Sequence, residues 1–356
     1  MEEEELGESL PLTGAGAMFI DEAIRSLANF AIPPCHTSDD VHALLKQSNV
    51  LRDTMLSGHC ANEVTQRSLI RFVEHGGVRV VVDVLENCVS ADCNLQWSSD
   101  ESFGIEGCMR TFHLLEVIGS ADNVVVWQKA SDADKSAAIA LVVHLIEAAM
   151  QGRFVDVRMQ DCYNVVKCLQ DLACLDATTA SLFFECNGFS NLSALLSWPE
   201  ADMRHARWAA AVVLKDLVAL ALPTARVSDW RIAKDSVQAI SCLIEGLYLF
   251  SKDGKHLLYE SSVMGILLIL QHLGQNQTYL AIITGVVEIH QAGNFVFQYV
   301  RDRLRDPVTK SLATTVGLLC FPNGLEEPTL GCRRKGMLRF FARSEPQEGY
   351  SPLPTC

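Results

Sequence analysis

Residues Ser181 to Leu220, SLFFECNGFSNLSALLSWPEADMRHARWAAAVVLKDLVAL, constrain the fold more than any other stretch. Glu185, followed three residues later by Gly188, closes one short helix and opens another whose apolar stripe is Leu192, Leu195 and Leu196 at i, i+3, i+4 spacing. Trp198-Pro199 ends that helix, because proline cannot continue one and disfavours helical backbone in the residue before it. Asp202 is placed to cap a longer helix that carries Ala206, Ala210, Val213, Leu214 and Leu217 on one side. Two helices of this kind cannot bury their apolar faces alone, so the unit demands neighbours stacked upon it.

Elsewhere the chain supplies such neighbours. Glu74 precedes Gly77 by the same three residues, and Val81, Val84 and Leu85 follow at the offsets of Leu192, Leu195 and Leu196. Glu260 and Val263 repeat the offset with valine in the glycine place, followed by Leu267 and Leu270. The phrase Leu169-Gln170-Asp171-Leu172 returns 45 residues on as Leu214-Lys215-Asp216-Leu217, within the roughly 40 to 47 residue period of helical repeat arrays. Helical spacing is expected from Met18 to Ala31, after Ser38-Asp39-Asp40, over Cys108 to Gly119, Asp132 to Met150 and Asp161 to Leu175. It resumes over Ser236 to Phe250, His256 to Leu273, Thr278 to His290, Phe295 to Leu304 and Val308 to Leu319. Cys88 to Gly107 and Pro223 to Lys234 read as breaks. The domain plan is an acidic, flexible leader over 1–17, a helical repeat domain over 18–320, and a Pro- and Gly-containing tail over 321–356, basic and then disordered.

These phrases resemble the armadillo repeat. Its glycine turn is matched best by Glu74-His75-Gly76-Gly77-Val78, its Leu-x-Asn-Leu-Ala phrase by Leu27-Ala28-Asn29-Phe30-Ala31, and its proline-opened helix by Asp306-Pro307-Val308. The resemblance implies an all-α, right-handed superhelical solenoid of about five to seven degenerate repeats. It also implies that the third helix of each repeat lines a concave groove that holds extended peptides or partner domains. Where the family carries Asn, this chain carries acids: Glu116, Asp171, Asp216, Glu245 and Glu288. The Trp-Asn pairing of the nuclear-import members is not kept, since Val212 stands four before Asp216 and Trp208 a turn further back.

A groove bearing carboxylates favours Lys- and Arg-rich segments, with Arg204, Arg207 and Trp208 as candidates on the exposed face beside Asp171 and Asp216. Ordinary solvated stripe boundaries are acidic too, and Trp208 suits the core equally. Asp216 and Glu245 are only 29 residues apart, less than one repeat. The expected role is a non-catalytic adaptor or scaffold for a basic peptide or partner helix. The alternative is a regulatory or exchange cofactor that clamps a folded globular domain.

Composition narrows the remaining classes. A net charge of -14 over 356 residues opposes phosphate binding and hence a nucleic-acid partner. No apolar run reaches the length a membrane helix needs. The acidic start MEEEELGESL is unlike a secretory signal, so a cytoplasmic or nuclear setting is expected. The 13 cysteines lie mostly in apolar helical patterns, as do Cys168, Cys174, Cys242 and Cys320, and are expected to be reduced.

Phosphate loops, dinucleotide fingerprints and H-E-x-x-H are missing, and Cys88, Cys93, Cys108 and His113 do not keep a zinc-ligand spacing. No enzyme activity, cofactor or metal is expected. The one basic cluster, Gly331 to Arg343, is open to three readings: a solvated tail, a membrane or partner helix, or a segment that folds back onto the acidic groove.

Overall fold

The computed structural model describes residues 14–29, 63–89, 112–120, 124–150, 159–198, 204–221, 232–252, 257–289 and 295–322. All regular structure among the described residues is helical. The helices are α1 (Gly14–Ala28), α2 (Glu63–Glu74), α3 (Gly77–Val89), α4 (112–119), α5 (Val124–Gln128), α6 (Asp132–Met150), α7 (Met159–Ala173) and α8 (Ala177–Glu185). They continue as α9 (Gly188–Leu196), α10 (Arg204–Ala221), α11 (Ile232–Lys252), α12 (Leu257–Gly274), α13 (Gln277–Ile289), α14 (Phe295–Arg303) and α15 (Pro307–Cys320).

Both Glu-x-x-Gly breaks form. Helix α2 ends at Glu74 and α3 starts at Gly77, while α8 ends at Glu185 and α9 starts at Gly188. The residue just before each second helix has a left-handed backbone, Gly76 with φ 81° and Asn187 with φ 63°. Glycine and asparagine are the residues that enter this region most readily. At the third place the corresponding residue is Ser262, which lacks that ease, and α12 runs unbroken through Glu260 and Val263. The helical spacing read over His256 to Leu273 is therefore one continuous helix.

Other helix starts follow local chemistry. Asp176 accepts a hydrogen bond from Thr179 N (2.8 Å) while Thr179 Oγ1 accepts one from Asp176 N (3.2 Å), a reciprocal cap on α8. Asp306 accepts from Thr309 N (2.7 Å) with Pro307 at the first helical position of α15, as the sequence led us to expect. Helix α1 begins at Gly14, four residues ahead of the expected Met18. The helix expected after Ser38-Asp39-Asp40, the Asp202 cap and the tail beyond Pro322 lie outside the described residues.

The chain divides into two compact units, Met1–Cys186 and Asn187–Cys356. In the first, α2 packs on α5 and α3 on α6, and Gly119 at the end of α4 meets Leu172 of α7. Helix α6 is also covered by α7 and α8, which is why its buried residues Ala138, Ile139, Leu141, Val142, Val143 and Ile146 go round the helix rather than forming a stripe. Trp127 of the short α5 is fully buried, and its Nε1 donates to the Leu172 carbonyl at 3.0 Å. Asp21 of α1 receives Arg71 of α2 in a two-pronged ion pair (3.1 and 2.8 Å).

In the second unit the packing forms two rows. One is α9 on α11 on α14, and the other is α10 on α12 on α15. Close approach is set by small residues: a Cβ on Gly265 of α12 would lie 3.2 Å from the Ala211 carbonyl oxygen of α10. The expected stripes are buried throughout, including Leu192, Leu195, Leu196, Ala206, Ala210, Val213, Leu214 and Leu217.

Candidate functional site

The acids of the repeated phrase lie at the edges of buried stripes. Glu116 sits on α4 between buried Leu115 and Ile118, and Asp171 on α7 between buried Leu169 and Leu172. Their side chains keep 27% and 24% of their exposure, enough to reach a ligand but not to be fully solvated. The structure brings these two together, since each lies close enough to Cys168 to act on it electrostatically, and Glu116 acts likewise on Asp171. Burial raises the Asp171 carboxyl above the usual carboxylate range. Lys167 opposes that shift from one turn away (3.5 Å), and Glu116 adds to it by like-charge repulsion.

Three of the acids already have a partner on their own helix. His113 Nδ1 contacts Glu116 three residues on, Lys167 pairs with Asp171, and Lys215 pairs with Asp216 at 3.0 Å. Such exposed same-helix pairs are worth little, about 0.3–0.5 kcal/mol, so a guest cation with better geometry can displace the resident one. The spacing of His113 before Glu116 and Lys167 before Asp171 was legible in the sequence, but its meaning was not drawn from it.

In the second unit the acids separate. Asp216 lies on α10, in the row α10, α12, α15, whereas Glu245 lies on α11, in the row α9, α11, α14. Glu288 is on α13, which packs against α11, α12 and α15, and its side chain is outside the described set, as is that of Arg204. Trp208 is half-buried, and its Nε1 is shut off from solvent without a hydrogen-bond partner among the described residues.

Arg207 departs from the expected exposed position: it is 4% exposed, donates to the Trp198 carbonyl at 2.5 Å and lies over the Phe250 ring at 5.9 Å. Its aliphatic stem and planar head fill the space behind α10, which makes it part of the core. Glu260 accepts hydrogen bonds from the backbone N–H groups of Arg305 and Asp306, tying α12 to the start of α15.

Cysteines 162, 168, 174, 186, 242 and 320 form no disulfide. Burial pushes the Cys168 thiol well up and that of Cys320 up to about 12, so both stay protonated and unreactive near neutrality. No group of three or more His, Cys, Asp or Glu side chains is placed to hold a metal among the described residues. No described helix is long and apolar enough to cross a membrane.

Two carboxyls outside the phrase contribute to acid stability. The Arg71 hydrogen bond holds Asp21 below the usual carboxylate range, and the Thr309 hydroxyl and backbone hold Asp306 there. Their folded values lie below the unfolded value of 3.8, so their contribution is present above that pH and is lost as pH falls through the folded values. The melting temperature is expected to fall as pH drops below 3.8, and Asp21→Asn with Asp306→Asn to flatten part of that fall in a thermal-melt series.

No protein-family model matches the chain, and comparison with curated proteins gives no match. Among solved structures the crystal structure of an engineered protein is similar over 94% of this chain and 100% of its own, at 13% identity and a TM-score of 0.23. At that score the likeness bears neither on fold nor on function.

Proposed function

We propose that the chain is an armadillo-like right-handed solenoid that works as a non-catalytic adaptor, holding a Lys- or Arg-rich segment of a partner protein against the helices that carry the repeated acidic phrase. The observation that carries this reading is the packing of like upon like. In the first unit three successive helices, α2, α3 and α4, meet α5, α6 and α7 respectively; in the second, α10, α12 and α15 form one row and α9, α11 and α14 another. Helices stacked in this order are what degenerate three-helix repeats produce.

Glu116 and Asp171 occupy the same phrase position on the stacked pair α4 and α7, and Asp216 occupies it on α10. Two partly desolvated carboxylates side by side repel one another, and a guanidinium set between them relieves that repulsion with charge-assisted hydrogen bonds. The core binding set is thus Glu116 and Asp171 of the first unit; Asp216 occupies the phrase position in the second unit, where Glu245 and Glu288 lie on other helices. A cytoplasmic or nuclear setting suits such a partner.

The test is titration of the full chain with a fluorescent Arg-rich peptide, for wild type and for Asp171→Lys with Asp216→Lys. Affinity is expected to fall about 100-fold, on the scale of 2–5 kcal/mol for disrupting close charge pairs. A loss below about threefold, with a folded globular partner still bound, would favour a broad domain clamp instead.

A further inference from the structure

Helix α15 is the last of the row α10, α12, α15 among the described residues, and its exposed face is uncharged and partly apolar. Val308 is 66% exposed and Leu318 46%, with Ser311, Leu312 and Thr315 completing the stripe at helical spacing. Lys310, the one charged residue of α15, lies off this stripe. Pro307, Val308, Ser311, Leu312 and Thr315 line an open depression of about 460 Å³. In a row of stacked helices such a face is where the next layer would sit, and end layers need a cover with a polar outer side.

We propose that the chain's own segment 331–343, GCRRKGMLRFFAR, covers this face and caps the row. Three observations select it over other occupants. The first is reach: residues 323–330 join α15 to the segment, and eight residues span up to about 26 Å, more than the roughly 21 Å length of a 14-residue helix. A tethered segment so close acts at an effective concentration of the order of millimolar.

The second is chemistry, because Met337, Leu338, Phe340 and Phe341 supply the apolar side that Val308, Leu312 and Leu318 lack, while the cations supply a polar outside. The third is charge. The segment holds five cations (Arg333, Arg334, Lys335, Arg339, Arg343) and no acid, while the whole chain is -14, so the rest of the chain is -19. Long-range attraction therefore draws the segment inward.

The experiment places the photo-cross-linker p-benzoylphenylalanine at Phe341 of the full-length chain, irradiates it, and maps the products by peptide mass spectrometry. The expected product is a cross-link within one chain to the peptide 307–320. Val308→Glu with Leu312→Glu is expected to lower its yield about tenfold or more, and Ser311→Lys, on the surface of the same stripe, to lower it in the same sense. Circular dichroism verifies that helicity is kept in each variant.

A cross-link between chains assigns the face to a second copy and overturns the proposal. A cross-link to α4 or α7 places the segment on Glu116 and Asp171 instead, and overturns it equally. So does the absence of any cross-link, or a yield that the stripe variants leave unchanged.

Discussion

Trp127→Ala is expected to lower the unfolding free energy by about 4 kcal/mol, the scale for removing a large buried aromatic side chain. Two losses combine. The indole is fully buried, so its removal leaves a cavity between α5 and its neighbours. Its Nε1 also donates to the Leu172 carbonyl, which lies in the last turn of α7, where carbonyls have no partner within the helix. Trp127→Phe keeps most of the volume and loses only the donor, so it is expected to cost about 1–2 kcal/mol. Urea unfolding of both variants checks the pair. A Trp127→Ala cost below about 1 kcal/mol would mean that α5 contributes nothing to the stack.

Gly265→Leu is expected to cost about 3 kcal/mol, the upper part of the range for overpacking a tight contact. The added side chain meets the Ala211 carbonyl oxygen and the Lys215 Cβ of α10, with Cβ alone already at 3.2 and 3.8 Å. A backbone carbonyl within a helix cannot swing aside, so α12 must move away from α10 and the row opens. Gly285→Ala on α13 is the control: its Cβ meets nothing within 4 Å, and replacing a mid-helix glycine should stabilise by up to about 1 kcal/mol. Opposite signs for the two glycines, read from denaturant midpoints, distinguish a specific layer contact from a general glycine effect.

Much of the helix plan could be read from residue spacing. Asp132 to Met150 was found with its limits unchanged, and Ser236 to Phe250 lies inside α11. These helices have strong caps or long apolar periods, which act locally. Helix α5 was missed because five residues hold little more than one turn, too few for a period to show. Glu260 and Val263 repeat the offset without a left-handed residue between them, so the helix read over His256 to Leu273 stays whole.

The candidate site was legible only in part. Phrase matching put Glu116 and Asp171 at one position of the repeat, and their helices meet where Gly119 faces Leu172. It could not show that Glu245 belongs to the other row, although 29 residues from Asp216 is short for a repeat. Arg207 was misplaced because charge alone argued for the surface, whereas the Trp198 carbonyl and the Phe250 ring that bury it come from elsewhere in the fold.

The most direct test is a charge swap at the stacked pair: wild type and Glu116→Lys with Asp171→Lys are each titrated by calorimetry with an Arg-rich peptide and with its Arg-to-Glu counterpart. An acidic groove that reads basic segments predicts that wild type binds the Arg peptide alone and that the double variant loses it by about 100-fold while gaining the Glu peptide. Equal binding of the Arg peptide by both proteins would contradict the account.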